Sequence, residues 1–210
     1  KQIAESGQCF RWKKICPGRY FVISDGRTAC FFQEKTGIRI LCHEKDEEYF
    51  RKYLDLDTDY EKIIEQIDPE DRFLSGAAKM GKGIRILRQD LWEMIISFLI
   101  SQQNNITRIK KCIENISREF GVRKTSSTGA EYYAFPTAEA LALATEEQLR
   151  ECNLGYRAKY VLDTARKVCF GDISLNSLHD MTYKAARKEL LGLYGCLLYT
   201  SPSPRDTERS

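Results

Sequence analysis

Histidine is almost missing from this chain of 210 residues, which holds only His43 and His179. The eight cysteines (Cys9, Cys16, Cys30, Cys42, Cys112, Cys152, Cys169 and Cys196) include no C-x-x-C pair and no regular spacing. That excludes the usual zinc and iron–sulfur ligand patterns and points to a protein without a metal or other cofactor. Free thiols in a reducing compartment fit this cysteine usage. Long apolar runs are missing too. The longest, Met94-Ile-Ile-Ser-Phe-Leu-Ile100, falls far short of the roughly 20 residues that cross a bilayer. No secretory signal opens the chain, so a cytoplasmic protein with no membrane partner is expected. It begins at Lys1 without methionine, and its natural start is expected upstream. Internal repeats and long linkers are absent as well.

What is present describes a folded protein. Apolar residues make up 42% of the chain and charged residues 30%, the composition of a globular domain and not of a disordered one. The length allows one large domain or two small ones. The net charge of +3 conceals an asymmetry. From Asp46 to Asp71 there are eleven acids against three bases, a local balance of −8. From Lys79 to Lys124 there are ten bases against four acids, a balance of +6. A polyanion held on one face would account for that division, and so would an ordinary solvated surface.

The beginning of the chain reads as strands. Tyr20–Ser24 and Thr28–Gln33 flank Asp25-Gly26-Arg27, and Asp-Gly tolerates the positive φ of a tight hairpin. Ile38–Cys42 follows a turn at Glu34–Gly37, and Cys9–Trp12 reads as an earlier strand. After Asp46 everything reads as helix. Asp46–Leu54 and Tyr60–Ile67 are short amphipathic pieces. Asp90 with Glu93 forms a capping box ahead of Trp92, Ile95, Ile96, Leu99 and Ile100. Ile106 to Phe120 forms the next helix and Gly121 ends it. Thr137 opens a short helix, and Thr145 with Gln148 opens one that stops at Leu154-Gly155. Ala158 to Val168 is a further helix closed by Gly171, and Tyr183–Leu193 is the last. Lys124–Gly129 reads as an exposed loop.

Three segments carry chemistry. Ser101-Gln-Gln-Asn-Asn105 lies between two strongly apolar helices. Alone it reads either as a polar connection or as a ligand site, since amides donate and accept in two directions. Arg108 follows one turn later, beside Lys110 and Lys111. Leu154-Gly-Tyr-Arg-Ala-Lys-Tyr160 places Tyr156 and Arg157 at a helix start, where backbone donors favour phosphate. A ring and a guanidinium there can wedge between bases or stack on them; equally, Tyr156 could cover the edge of a core. Ser6-Gly-Gln-Cys-Phe-Arg-Trp12 joins a glycine, which a ligand can approach closely, to an aromatic strand.

In their order, Ser6–Trp12, Gly83-Ile-Arg-Ile-Leu-Arg-Gln-Asp90, Gln103-Asn-Asn-Ile-Thr-Arg108 and Leu154–Tyr160 closely resemble the signature segments of the 8-oxoguanine DNA glycosylases, members of the helix-hairpin-helix glycosylase superfamily. The resemblance runs from Gly7 to Gly195. It implies an α+β protein: an antiparallel sheet domain over residues 1–75 and an all-helical glycosylase domain over 76–195. It also implies base-excision repair of 8-oxoguanine opposite cytosine in duplex DNA, by a monomer that flips the lesion into a pocket. In that reaction a lysine amine attacks the sugar C1′, displaces the base and forms the Schiff base that allows β-elimination at the abasic site. A carboxylate downstream supports the charge that develops on the sugar. By position, Gly7 corresponds to the glycine whose carbonyl reads the N7–H of the lesion. Arg108 and Arg157 correspond to the arginines that address the orphaned cytosine, and Tyr156 to the wedge beside it. Gln103 stands where relatives often carry asparagine, and its longer amide is expected to fill the vacated stack.

The chain departs from this pattern after Gly195. The family hairpin runs Gly-Val-Gly-x-Lys, whereas here Gly195 is followed by Cys196-Leu-Leu-Tyr199. Tyr199 takes the lysine position, and a phenol cannot form a Schiff base. The catalytic aspartate would lie beyond Ser210. Residues 196–210, with two prolines and five hydroxyl residues, do not suit a hairpin helix. They are similar to the translation of a sequencing adapter and are expected to be a non-native tail. The chain as written is therefore expected to lack catalysis. Two other readings stand beside this one: a non-catalytic damaged-DNA-binding module, and a helical protein-interaction domain.

Overall fold

In the computed structural model, residues 2–35 and 37–195 are described. The described residues divide into two compact units, residues 2–35, 37–90 and 125–131 in one and residues 91–124 and 132–195 in the other. The expectations for Cys196–Ser210, with Tyr199 at the lysine position, lie outside the described residues.

The first unit opens with a short helix, α1 (Gln2–Glu5), and is built on an antiparallel meander. Its strands, in sheet order, are β1 (Trp12–Cys16), β2 (Arg19–Ser24), β3 (Arg27–Gln33) and β4 (Ile38–Cys42). The β2–β3 hairpin turns on Asp25 and Gly26, with φ of 49° and 64°, as the Asp-Gly signal requires. Period-2 alternation turns Tyr20, Val22, Ala29 and Phe31 inward. Cys9–Trp12 is not a strand: β1 starts only at Trp12. Cys9 and Trp12 are buried as expected of a strand's inner face, but the chain straightens into the ladder only where Trp12 pairs with Val22. The remainder of β1 is an exposed edge with two lysines, which discourages pairing with another chain.

A single 3-10 turn (Glu44–Asp46) leads into α2 (Glu47–Tyr53), which lays Phe50 and Tyr53 on the sheet. The Trp12 indole donates to the Tyr53 hydroxyl at 2.8 Å, and Phe31 meets Phe50 edge to face at 5.8 Å. Two more helices follow, α3 (Tyr60–Glu65) and α4 (Arg72–Met80). α4 buries none of its residues, although Phe73, Leu74, Ala77 and Met80 recur at helical spacing behind the Asp71 cap. Residues 85–89 run as an extended strap in this unit. The Gln8 amide accepts from Leu87 N–H at 3.0 Å and donates to the Arg85 carbonyl at 3.1 Å. These bonds hold residues 76–90 in the same contact unit as the sheet.

Beneath the strap lies Asp55, buried with φ 51°. It accepts from Arg88 Nε at 2.7 Å, the Tyr60 hydroxyl at 2.8 Å and the Thr58 hydroxyl at 2.9 Å. The Arg88 hydrogen bond is the main reason its carboxyl is held below the ordinary range, with the two hydroxyls helping and burial opposing.

The second unit is helical. α5 (Leu91–Ser101) buries Trp92, Ile95, Ile96, Leu99 and Ile100, which form one inward stripe at helical spacing. Next comes α6 (Ile106–Phe120), capped by the Asn105 side chain on Arg108 N–H, with Ile109, Cys112, Ile113 and Ile116 inward. Gly121 ends it in extended backbone, not the left-handed form. Glycine is needed there because a Cβ would overlap the Ala134 carbonyl. The expected loop at 124–129 is the turn of a two-stranded hairpin, β5 (Arg123–Thr125) and β6 (Glu131–Tyr133).

Then follow α7 (Ala138–Ala142), capped by Thr137, and α8 (Glu146–Leu149), with the capping box of Thr145 and Gln148 in place. A π-helical turn (Arg150–Leu154) leads to α9 (Arg157–Cys169), α10 (Leu175–Asp180) and α11 (Tyr183–Leu191). Among the described residues no helix is long and apolar enough to cross a membrane.

The Asp55 cluster makes stability depend on pH with a definite sign. A depressed folded pKa stabilises the fold above the unfolded value, near pH 4, and that contribution is lost as pH falls through the folded value. Asp55→Asn should therefore melt below the wild type near pH 7, and the gap should narrow below about pH 4. Thermal melts across that range check it.

Candidate nucleic-acid interface

The α5–α6 turn and the start of α9 meet within the second unit, and one side chain joins them. Arg157, only 3% exposed, donates through Nε to the Gln102 carbonyl at 2.8 Å and through Nη2 to the Gln103 carbonyl at 2.9 Å. Nη2 also bonds Gln102 O. A helix ending in a tight polar turn leaves carbonyls without partners, and this guanidinium satisfies two of them. It also supports Gln103 in a left-handed conformation, φ 46°, which costs a non-glycine residue about 1–2 kcal/mol. Around it, Asn104 Nδ2 donates to Ile100 O at 3.0 Å, and Asn105 accepts from Arg108 N–H at 2.9 Å.

Arg157, expected to address a base, is buried in the free chain. Its Nε and Nη2 donate to backbone carbonyls, and the guanidinium carbon lies 4.4 Å from the centroid of the Tyr156 ring. Arg108, by contrast, is exposed on the first turn of α6. One of its guanidinium nitrogens stands 3.9 Å from where a Cβ on Gly155 would sit. Tyr156 is 46% exposed. Gln103 is exposed at the turn. The structure thus brings Gln103, Arg108, Tyr156 and Arg157 together around two turns. Three of them face solvent and the fourth holds the turns in place.

The approach to α9 is strained and braced. Asn153 has φ 68° and Gly155 φ 60°. Asn115 Nδ2 donates to Cys152 O, and the Cys112 thiol to Asn153 O, both at 3.3 Å. Burial raises the Cys112 thiol above its ordinary pKa, with Arg108 and Arg157 pulling the other way. Burial, helped by the Glu119 carboxylate, pushes Cys152 up to about 11. Both thiols thus stay protonated near neutrality and act as packing groups.

Gly7 belongs to the first unit. Its φ of 81° is one that residues with a side chain rarely adopt, and no atom lies within 4 Å of where a Cβ would point. Its open side is available to a ligand that approaches the backbone.

Sequence reasoning missed Asn105 as a cap, and it missed Tyr160 and Tyr194, whose rings continue from Tyr156. The i, i+4 spacing of Tyr156 and Tyr160 was the available signal. Loss of the buried guanidinium should be felt as stability and loss of the exposed one should not. Arg157→Ala should destabilise the fold by about 2–4 kcal/mol by orphaning two carbonyls, and Arg108→Ala by less than about 1 kcal/mol. Denaturant titrations measure both.

Comparison with known proteins agrees with this geometry. Residues 1–95 match the model of the 8-oxoguanine DNA glycosylase N-terminal domain, and residues 96–204 that of the HhH-GPD superfamily base excision DNA repair proteins. An N-glycosylase/DNA lyase of Saccharomyces cerevisiae is 39% identical over 137 residues, covering 64% of this chain and 36% of that protein. The chain thus spans about a third of that relative's length. The Clostridium acetobutylicum 8-oxoguanine glycosylase/lyase, solved with double-stranded DNA containing cytosine opposite 8-oxoG, superposes with a TM-score of 0.86. It is 36% identical, covering 93% of this chain and 67% of that one. A structure of MBOgg1 with a low-affinity DNA ligand also gives 0.86 at 36% identity, covering 94% of this chain and 71% of that one. The sheet domain, the helical domain and their order along the sequence place this chain in the 8-oxoguanine DNA glycosylase family of the HhH-GPD base-excision repair superfamily.

Proposed function

We propose that the protein to which this sequence belongs excises 8-oxoguanine paired with cytosine from duplex DNA and cleaves the resulting abasic site by β-elimination. The observation that carries the reading is the exposure of Arg108 and Tyr156 side by side at Gly155, on a turn held by a buried arginine. A solvent-exposed guanidinium suits the acceptor edge of an orphaned cytosine, and a half-exposed ring suits the gap left by a flipped base. Gln103, on the same turn, fills the vacated stack. The Gly7 carbonyl reads the lesion, because 8-oxoguanine carries a proton on N7 where guanine has a lone pair that would repel it. Arg157, whose Nε and Nη2 brace the turn from within, stands beside Arg108 as the second arginine of the cytosine site. All four residues of the helical unit come from one chain, so a monomer suffices. Its place of action is the DNA of a bacterial-type cytoplasm.

With Tyr199 at the position of the nucleophilic lysine, the 210-residue chain binds lesion DNA without cleaving it. Borohydride trapping on an 8-oxoguanine:cytosine duplex tests this. The expected result is a retarded complex and no covalent adduct; an adduct would show that another amine serves. Arg108→Ala should weaken lesion-duplex binding about tenfold and flatten the preference for cytosine opposite the lesion. Equal affinity of the wild type for lesion and undamaged duplexes would refute the assignment.

A further inference from the structure

One stripe of α9 carries Tyr156, Tyr160, Asp163 and Lys167 at helical spacing. The Tyr160 ring meets Tyr156 edge to face at 5.7 Å and 73°, and Tyr194 at 5.2 Å and 77°. Gly195 has φ 89°, and a Cβ on it would overlap the Tyr160 ring, so the backbone passes flush against that ring. Two cations of α9 secure the same turn. Lys167 Nζ donates to Gly192 O at 3.0 Å and pairs with Asp163 at 3.3 Å. Lys159 Nζ lies 5.5 Å from the centroid of the Tyr194 ring. The half-exposed Tyr156 and the turn at 192–195 are thus fixed to one helix through one intervening ring.

We propose that Tyr160 is a positioning residue for lesion recognition: it sets the register between the Tyr156 ring and the Gly192–Gly195 turn, so that the two meet the DNA as one surface. This rests on the reading of Tyr156 as the group that enters the stack. Tyr160 itself touches no DNA and does its work through its ring faces and edges; the ring is what matters, not the hydroxyl.

Three variants separate ring, hydroxyl and volume: Tyr160→Phe, Tyr160→Leu and Tyr160→Ala, each checked by thermal melting. The first measurement needs no DNA. Gly192 N–H bonds Glu189 O and Leu193 N–H bonds Leu190 O, so hydrogen exchange at these amides reports the turn. Exchange should rise about tenfold or more in Tyr160→Leu and Tyr160→Ala and stay at the wild-type rate in Tyr160→Phe. The second uses 2-aminopurine beside 8-oxoguanine in a duplex, whose fluorescence reports unstacking. Tyr160→Leu should cut that signal several-fold while Tyr160→Phe keeps it. Adding Tyr160→Leu to Tyr156→Ala should cost nothing further, whereas a merely structural role would give additive losses.

Unchanged exchange in Tyr160→Leu, or additive losses, overturns the proposal. A wild type that binds no lesion duplex while exchange responds as expected refutes the proposed function, and with it the wedge half of this inference; the coupling of Tyr160 to the turn would then stand.

Discussion

Much of the helical unit depends on one buried guanidinium. Arg157 reaches from the first residue of α9 to the carbonyls that α5 leaves open at its C-terminal end. A lysine could offer only a point charge there, whereas the planar fork of arginine spans two adjacent carbonyls. The consequences radiate from that contact. Gln103 can occupy a left-handed backbone, α6 can begin at its Asn105 cap, and Arg108 emerges on the first turn of α6 beside Gly155. Such a brace fixes the spacing of the exposed Tyr156 ring and Arg108 guanidinium more tightly than loops alone would.

The two units are stabilised differently, and each manner suits its part. The sheet unit relies on a cluster of rings, Trp12, Phe31, Phe50 and Tyr53, and on the carboxylate of Asp55 beneath a strap. Its Gly7 stands at the end of a segment zipped to that strap through Gln8. The helical unit relies on aliphatic packing of α5 against α6 and α9. Asn105, Thr137, Thr145 and Arg157 serve its helix ends, where unpaired backbone groups create a demand for polar partners.

Much of this could be read from residue order. Asp25-Gly26 announced its hairpin, Thr145 and Gln148 announced their capping box, and the apolar spacing of α5, α6 and α9 matched their inward faces. The four site residues of the helical unit were named from their motifs, and all four lie around the same pair of turns. What escaped the sequence depends on distant partners. Nothing local says that Arg157 is buried while Arg108 is exposed, since both open amphipathic helices; only the packing of α9 against the α5–α6 turn decides it. α4 was not set apart as a helix of its own, although Phe73, Leu74, Ala77 and Met80 are helically spaced; the fold buries none of its residues. The strand expected at Cys9–Trp12 begins only at its last residue, because burial of alternate side chains does not require ladder pairing. Gly121 was read correctly as a helix end for a reason the fold replaces: it yields space to the Ala134 carbonyl.

If the proposed function is right, the α5–α6 turn and the start of α9 meet DNA as a single surface braced by Arg157. Hydrogen exchange of the 210-residue chain, free and bound to an 8-oxoguanine:cytosine duplex, tests this. Slowed exchange should concentrate in residues 102–108 and 154–160, rising and falling together as the duplex is titrated. Protection confined to other parts of the chain, with these two segments exchanging as in the free protein, would contradict it.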